Sequence, residues 1–367
     1  MVTREDLLKT PVEQIDLSKV GRVTDLVESW KRGSIQGRSL GKCASVYENM
    51  VQDPVRPTVI MGLSGCMIAG AQRFVIRDLI KEGLIDCLVS TGAQLYQDFY
   101  QAMGYQHYMG TPDADNVALH EHWIDRLYDT YVDELAFRKT DHFIAEMTEN
   151  LPPGNYSSRE FLHEMGRIAY ERGDRGIMAT CYELGVPMFS PALNDSSIGI
   201  GLTVYYKKMI ESGKRESMVR IDPIRDNWEL TQIKGKSPKT GIVYIGGGTP
   251  KNYINDVEVI AEETGFDVAG HEYGFQITVD APHWGGLSGS TLEEAQSWGK
   301  IHAEADKATV YGDATIMLPL IAAHMLQKGL HKDRLRVKYT WDIDTLVSVE
   351  HVPIGAVRTV EAAAQAS

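Results

Sequence analysis

Short apolar runs alternate with stretches of helical spacing along most of the chain. Pro57-Thr-Val-Ile-Met-Gly-Leu-Ser-Gly reads as a buried strand ending in a small-residue turn, and the apolar spacing after it predicts a helix over about 67–82. Ile85-Asp-Cys-Leu-Val-Ser-Thr-Gly-Ala is a second such strand. Residues 95–150 are richer in aromatics and acids and less periodic, as an insertion would be. After the break at Pro152-Pro153-Gly154, Ser157/Ser158 and Glu160 introduce a helix over about 158–173. Val186 to Leu193 is a short strand, followed by Asn194-Asp195-Ser196-Ser197 and a helix to about 212. The charged stretch 213–240 contains Pro223 and Pro238 and predicts no regular element. Ile242-Val-Tyr-Ile is a strand closed by Gly246-Gly247-Gly248, with a helix over about 252–263. Phe275-Gln-Ile-Thr-Val is the next strand. A loop over 280–290 leads into a helix that carries Lys300, Ala308-Thr-Val-Tyr is the last strand, and Gly312-Asp313-Ala314 opens an apolar helix to about 326.

Six strand-then-helix units imply an α/β fold with a mostly parallel, Rossmann-like sheet and helices on both faces. Residues 1–55 are polar and helical in pattern, a helical N-terminal extension, and 56–367 form a single α/β domain. Ligands of open α/β sheets bind beyond the carboxyl ends of the strands, where the small and polar residues of this chain gather.

Composition narrows the class. With 43% hydrophobic and 24% charged residues the chain is an ordinary soluble protein. Its net charge of −13 argues against nucleic acid as partner and suits cationic ligands such as polyamines. Cys43, Cys66, Cys87 and Cys181 form no C-x-x-C and fit no zinc spacing, so a reduced, cytoplasmic setting is expected. No apolar leader or membrane-length run is present in the sequence.

The candidate chemistry lies in the turns. Gly246-Gly247-Gly248, after a strand and before a helix, suits a phosphate held by backbone N–H groups or, equally, a tight turn; it is not the G-x-G-x-x-G fingerprint. Asp195 and Asp313 sit where a helix N-cap, or a ligand for a ribose hydroxyl or an amine, would sit. His120-Glu121-His122 lacks a third ligand, so no metal is expected, and no nucleophile elbow is present. Ser290 and Glu293 resemble a capping box, and Leu292, Ala295 and Trp298 follow helical spacing. That places Lys300 on a polar helix face, with Trp298 able to cover its cation and Gly299 marking a close approach.

The segment Glu294-Ala-Gln-Ser-Trp-Gly-Lys-Ile resembles the active-site segment of deoxyhypusine synthases, and the similarity extends over about 56–328. The resemblance implies NAD as cofactor and spermidine as donor of an aminobutyl group, held as an imine on Lys300. It implies Glu294 and Trp298 as substrate contacts. The implied cofactor contacts are Thr91, Gly92, Ala93, Asp195, the Gly246, Gly247 and Gly248 turn, Thr278, Ser288, Asp313 and Ala314. It implies a homotetramer of tight dimers with the sites at the dimer interface. Several positions depart from the family pattern: Asn252 stands for a His, Ile200 and Leu287 for acids, and Gly65-Cys66 for a Ser-Asn turn. Asn252 and Ser197 are then the altered substrate contacts, and Asp280 is the candidate to hold an ammonium. Losing two acids favours a small diamine acceptor such as putrescine, giving homospermidine. The alternatives are a translation-factor lysine as acceptor, a catalytically impaired NAD-binding protein, and a metal-dependent hydrolase using His120 and His122.

Overall fold

The computed structural model describes residues 2–353, so residues 354–367 of the expected α/β domain lie outside the described residues. Six strands form the main sheet: β1 (Thr58–Leu63), β2 (Cys87–Ser90), β3 (Met188–Phe189), β4 (Thr240–Ile245), β5 (His271–Thr278) and β6 (Ile301–Tyr311). All neighbouring pairs are parallel, and the order across the sheet is β6-β5-β4-β1-β2-β3. This is the doubly wound order of dinucleotide-binding sheets, with its reversal between β1 and β4.

Strand residues alternate between two cores. Val59, Met61, Leu63, Val243, Ile245 and Phe275 join one, while Ile60, Val89, Ile242 and Tyr244 join the other. A sheet buried on both faces therefore appears in the sequence as continuous apolar runs. Helix α1 (Ile35–Gln52) packs on β5 and β6 on the first face, and α2 (Gly248–Glu263) on β1 and β2 on the second. Gly62 is what lets α2 approach, because a Cβ there would meet Tyr244 at 2.9 Å and Ile254 at 3.1 Å.

Outside the site, the structure differs from the expected elements in three places. The segment Pro223–Lys236 is a helix, capped by Asp222, where no element was expected. A hairpin, Arg336–Asp342 with Thr345–Val352, was not anticipated. The irregular stretch 95–150 contains the helix Glu134–Glu149 and a three-stranded antiparallel sheet. The helical residues ahead of β1 are packed in, since Val27, Leu40, Tyr47 and Met50 belong to the main core. Those helices meet the last one, α4 (Ala314–Lys328), through a charged cluster: His324 bonds Thr24 at 2.9 Å and also Glu48, and Lys31 and Lys328 bond Glu48 at 2.8 and 3.1 Å. Glu28, Glu48 and His324 are the one group of metal-ligand types found together among the described residues, and the two lysines already neutralise it.

Candidate active site

Because crossovers leave β1 and β4 in opposite directions, a crevice opens between their carboxyl ends. There the chain builds a cavity of about 570 Å³ whose lining includes Ser64, Gly247, Thr278, Asp280, Ser288 and Asp313. The glycine turn makes its floor. Gly246 and Gly248 have φ of +69° and +57°, the left-handed region that favours glycine. A Cβ on Gly247 would lie 2.4 Å from the Cα of Ser288, so the loop after β5 closes only over a glycine. Ser64 Oγ accepts from Gly247 N at 2.8 Å, and the Gln276 side-chain amide donates to the carbonyls of Gly246 and Ser288, both at 2.8 Å. Thr278 Oγ1 also donates to Ser288 O. Asp313 Oδ1 caps α4, accepting from Thr315 N at 2.8 Å and Thr315 Oγ1 at 2.7 Å. The cap and the groove position are thus the same residue, and Ala314 is the first residue of the helix it caps.

Thr91 is the cap of the helix Gly92–Ala102 that follows β2, with Gly92 and Ala93 its first two residues. Thr91 N donates to Leu63 O, which ties this helix start to the end of β1. A Cβ on Gly92 would meet Ser196 Oγ at 2.4 Å, so the helix start abuts the turn carrying Asp195 and Ser197 after β3. Asp195 is not the helix cap: Ser196 holds that position, Ser197 begins the helix, and Asp195 is exposed.

Lys300 does not sit on a helix. Helix α3 spans only Leu292–Gln296, and its cap is Thr291, one residue past the expected Ser290; Thr291 Oγ1 accepts from Glu294 N at 2.9 Å. Gly299 has φ +71° with nothing within 4 Å of a built Cβ. The glycine is there for its backbone conformation and not for close approach, and it ends the helical run. Lys300 leads directly into β6, its carbonyl accepting from His271 N at 3.1 Å. Its side chain is 15% exposed, with Nζ 5.3 Å from the ring of Trp298, itself 67% exposed. On its other side, Nζ donates to Asp256 Oδ1 at 2.8 Å, and Asp256 Oδ2 accepts from the Asn252 amide at 2.9 Å.

Two further residues, Asp256 and Lys251, complete this region. Asp256 is four residues beyond Asn252 on α2, a spacing that places both on one helix face. Lys251 is 1% exposed; its Nζ donates to Gln276 Oε1 at 2.9 Å and to Ser290 O. Desolvation pushes its ammonium down to about 8, with Glu294 and Asp280 pulling the other way. Lys251 clamps the loop over 280–290 to the sheet. Glu294 is exposed and Asp280 partly so, both near enough to Lys251 to act on its charge.

A family model for deoxyhypusine synthase matches residues 25–325. The chain is 45% identical over 335 residues to a probable deoxyhypusine synthase 2 of Methanosarcina mazei, covering 91% of this chain and 94% of that one. It is 41% identical over 325 residues to a deoxyhypusine synthase-like protein of Chlorobaculum parvum, covering 88% and 91%. Among solved structures, that of a putative deoxyhypusine synthase from Entamoeba histolytica superposes with a TM-score of 0.55 at 16% identity, covering 86% of this chain and 97% of that one, a likeness of fold.

Proposed function

The chain belongs to the deoxyhypusine synthase family of transferases, and from that premise we propose that it moves an aminobutyl group from a polyamine such as spermidine, through an imine on Lys300, to a small acceptor amine. The observation that carries the reading is the setting of Lys300: an amine 15% exposed, with the Trp298 ring 5.3 Å away and a carboxylate at 2.8 Å. An alkylammonium chain suits such a site, since Trp298 covers methylenes and attracts cations. Lys300 Nζ bonds to the donor's imine carbon, the donor amine leaves, and an acceptor amine later reverses the exchange. For the attack Nζ must be neutral.

The crevice between β1 and β4 fits NAD. Its glycine cradle would be filled by a Cβ at position 247, the N-terminus of α2 faces it for a phosphate, and Asp313 Oδ2 is left for a ribose hydroxyl. NAD bound there would supply the acceptance of hydride from the carbon beside the donor's nitrogen, and its return. Thr91, Gly92, Ala93, Asp195 and Ser197 lie at the ends of β2 and β3, within the same carboxyl edge. NAD should raise the melting temperature by binding the folded state alone. Asp313→Ala should weaken NAD affinity about tenfold, by loss of a charge-assisted bond. The check is the NAD-dependent shift of each protein against its own cofactor-free value, because the variant also loses a helix cap worth ~1 kcal/mol. Equal affinities would remove Asp313 from the site.

Two features support a small acceptor. Ile200 and Leu287, at positions where the family carries acids, are 53% and 49% exposed and hold no charge for a second ammonium. Glu294 and Asp280 remain as acids near enough to Lys251 to act on its charge. A buried cation needs a paired acid, so Glu294→Gln should raise the KM for a diamine about tenfold with little change in kcat. Exposed Val279, Trp284, Leu287, Trp298 and Ile316, on segments bordering the groove and Lys300, support burial of the site against a second copy of the chain. Incubation with NAD and a panel of di- and triamines, read by mass spectrometry, tests the reading. Labelling of a translation-factor lysine with no free diamine accepted would replace the small-acceptor reading with the protein-modifying one.

A further inference from the structure

A proton must leave Lys300 for Nζ to bond carbon, and the amide of nearby Asn252 has no basic site to take it. Asp256 is in direct contact with the reacting nitrogen. Its Oδ1 lies 2.8 Å from Lys300 Nζ, and its Oδ2 is held at 2.9 Å by Asn252 Nδ2. The amide can only donate in that bond, so it fixes the carboxylate plane with one oxygen turned to the lysine. The side chain of Asp256 is 41% exposed, so water reaches it and can carry away a proton.

We propose that Asp256 is the catalytic proton acceptor and donor of the exchange at Lys300, with Asn252 as its positioning residue, the pair doing the work of a single histidine. The proposal rests on the transfer reading above. In the exchange, Asp256 Oδ1 first takes a proton from the Lys300 ammonium and passes it to water; neutral Nζ then bonds to the iminium carbon and the C=N electron pair returns to the donor nitrogen. Nζ, now carrying the positive charge, becomes acidic and gives one proton to Asp256 Oδ1. Asp256 delivers that proton to the donor nitrogen as its C–N bond breaks, and the Nζ lone pair forms the new iminium. One iminium enters, one leaves, and the carboxylate is restored. Contact with the reacting atom, and not mere proximity, is what a proton relay needs.

The experiment is borohydride trapping of the full-length protein with NAD and spermidine, followed as the rate of adduct formation on Lys300 at saturating donor. Asp256→Asn should slow that rate at least about tenfold, while donor KM and the NAD-induced melting shift stay within about twofold of wild type. Asn252→His added to Asp256→Asn should recover a large part of the loss, which a merely structural role for Asp256 would not allow. Asp256→Ala is the second variant should the first fail to fold, and it should show the same loss. Trapping by Asp256→Asn at the wild-type rate, or a loss confined to KM, would overturn the assignment while leaving the transfer reading intact. Absence of any adduct on wild-type Lys300 would overturn the transfer reading and the assignment with it.

Discussion

Lys300→Arg should abolish transfer, by at least about 10³-fold, and yield no borohydride-trapped adduct, because a guanidinium stays protonated and is no nucleophile. The same variant should bind NAD as wild type does. Lys300 pairs with Asp256, which is nine residues along α2 from Gly247, roughly 13 Å at the helical rise, so the substitution leaves the glycine cradle untouched. Arginine can still pair with Asp256 and lie against Trp298, so the melting temperature should change by no more than about 2 °C. Retained NAD binding with lost transfer would separate chemistry from cofactor recognition. Wild-type turnover by Lys300→Arg would end the covalent mechanism, and loss of NAD binding would mean that lysine and cofactor share one pocket.

Much of this site was legible in the sequence because buried parallel strands are written as uninterrupted apolar runs, and the turns that end them are written in glycine and small polar residues. The glycine turn at 246–248, Thr278 and Asp313 converge on one crevice for that reason. The helix that Ser157/Ser158 and Glu160 introduce also appears, with Ser157 and Glu160 forming a capping box. Other parts were illegible for definite reasons. The helix Pro223–Lys236 hides its inner face behind charges, because Glu229 is buried against Arg159 and Lys234 against Glu258. Apolar periodicity is faint on a face where only Leu230 and Ile233 are apolar and the other buried members are charged or polar. A glycine in a helical pattern suggests close approach, whereas the positive φ of Gly299 turns the chain from helix toward strand. Asp256 carries no motif of its own; it becomes meaningful only when folding brings Lys300, 44 residues away, against it.

Lys251 offers a test of that folded arrangement independent of catalysis. Its Nζ is enclosed by Gln276 and Ser290 O, and desolvation pushes its ammonium down to about 8. An unfolded chain holds the same proton up to about pH 10.4. Between these values the unfolded state binds more protons than the folded one, so unfolding free energy rises with pH across that window. Below about pH 8 both states are protonated and the slope vanishes. The shift is worth about 2 kcal/mol to the wild type between about pH 7 and about pH 10. Lys251→Met has nothing to titrate at this position, so the stability difference between the two proteins, from urea unfolding at each pH, should move in favour of wild type by that amount. The neutral amine keeps two hydrogens, one for Gln276 Oε1 and one for Ser290 O, so the clamp on the loop over 280–290 survives deprotonation. Parallel stability curves for the two proteins would mean that Nζ stays solvated and that the loop is held by the Gln276 and Thr278 bonds to Ser288 alone.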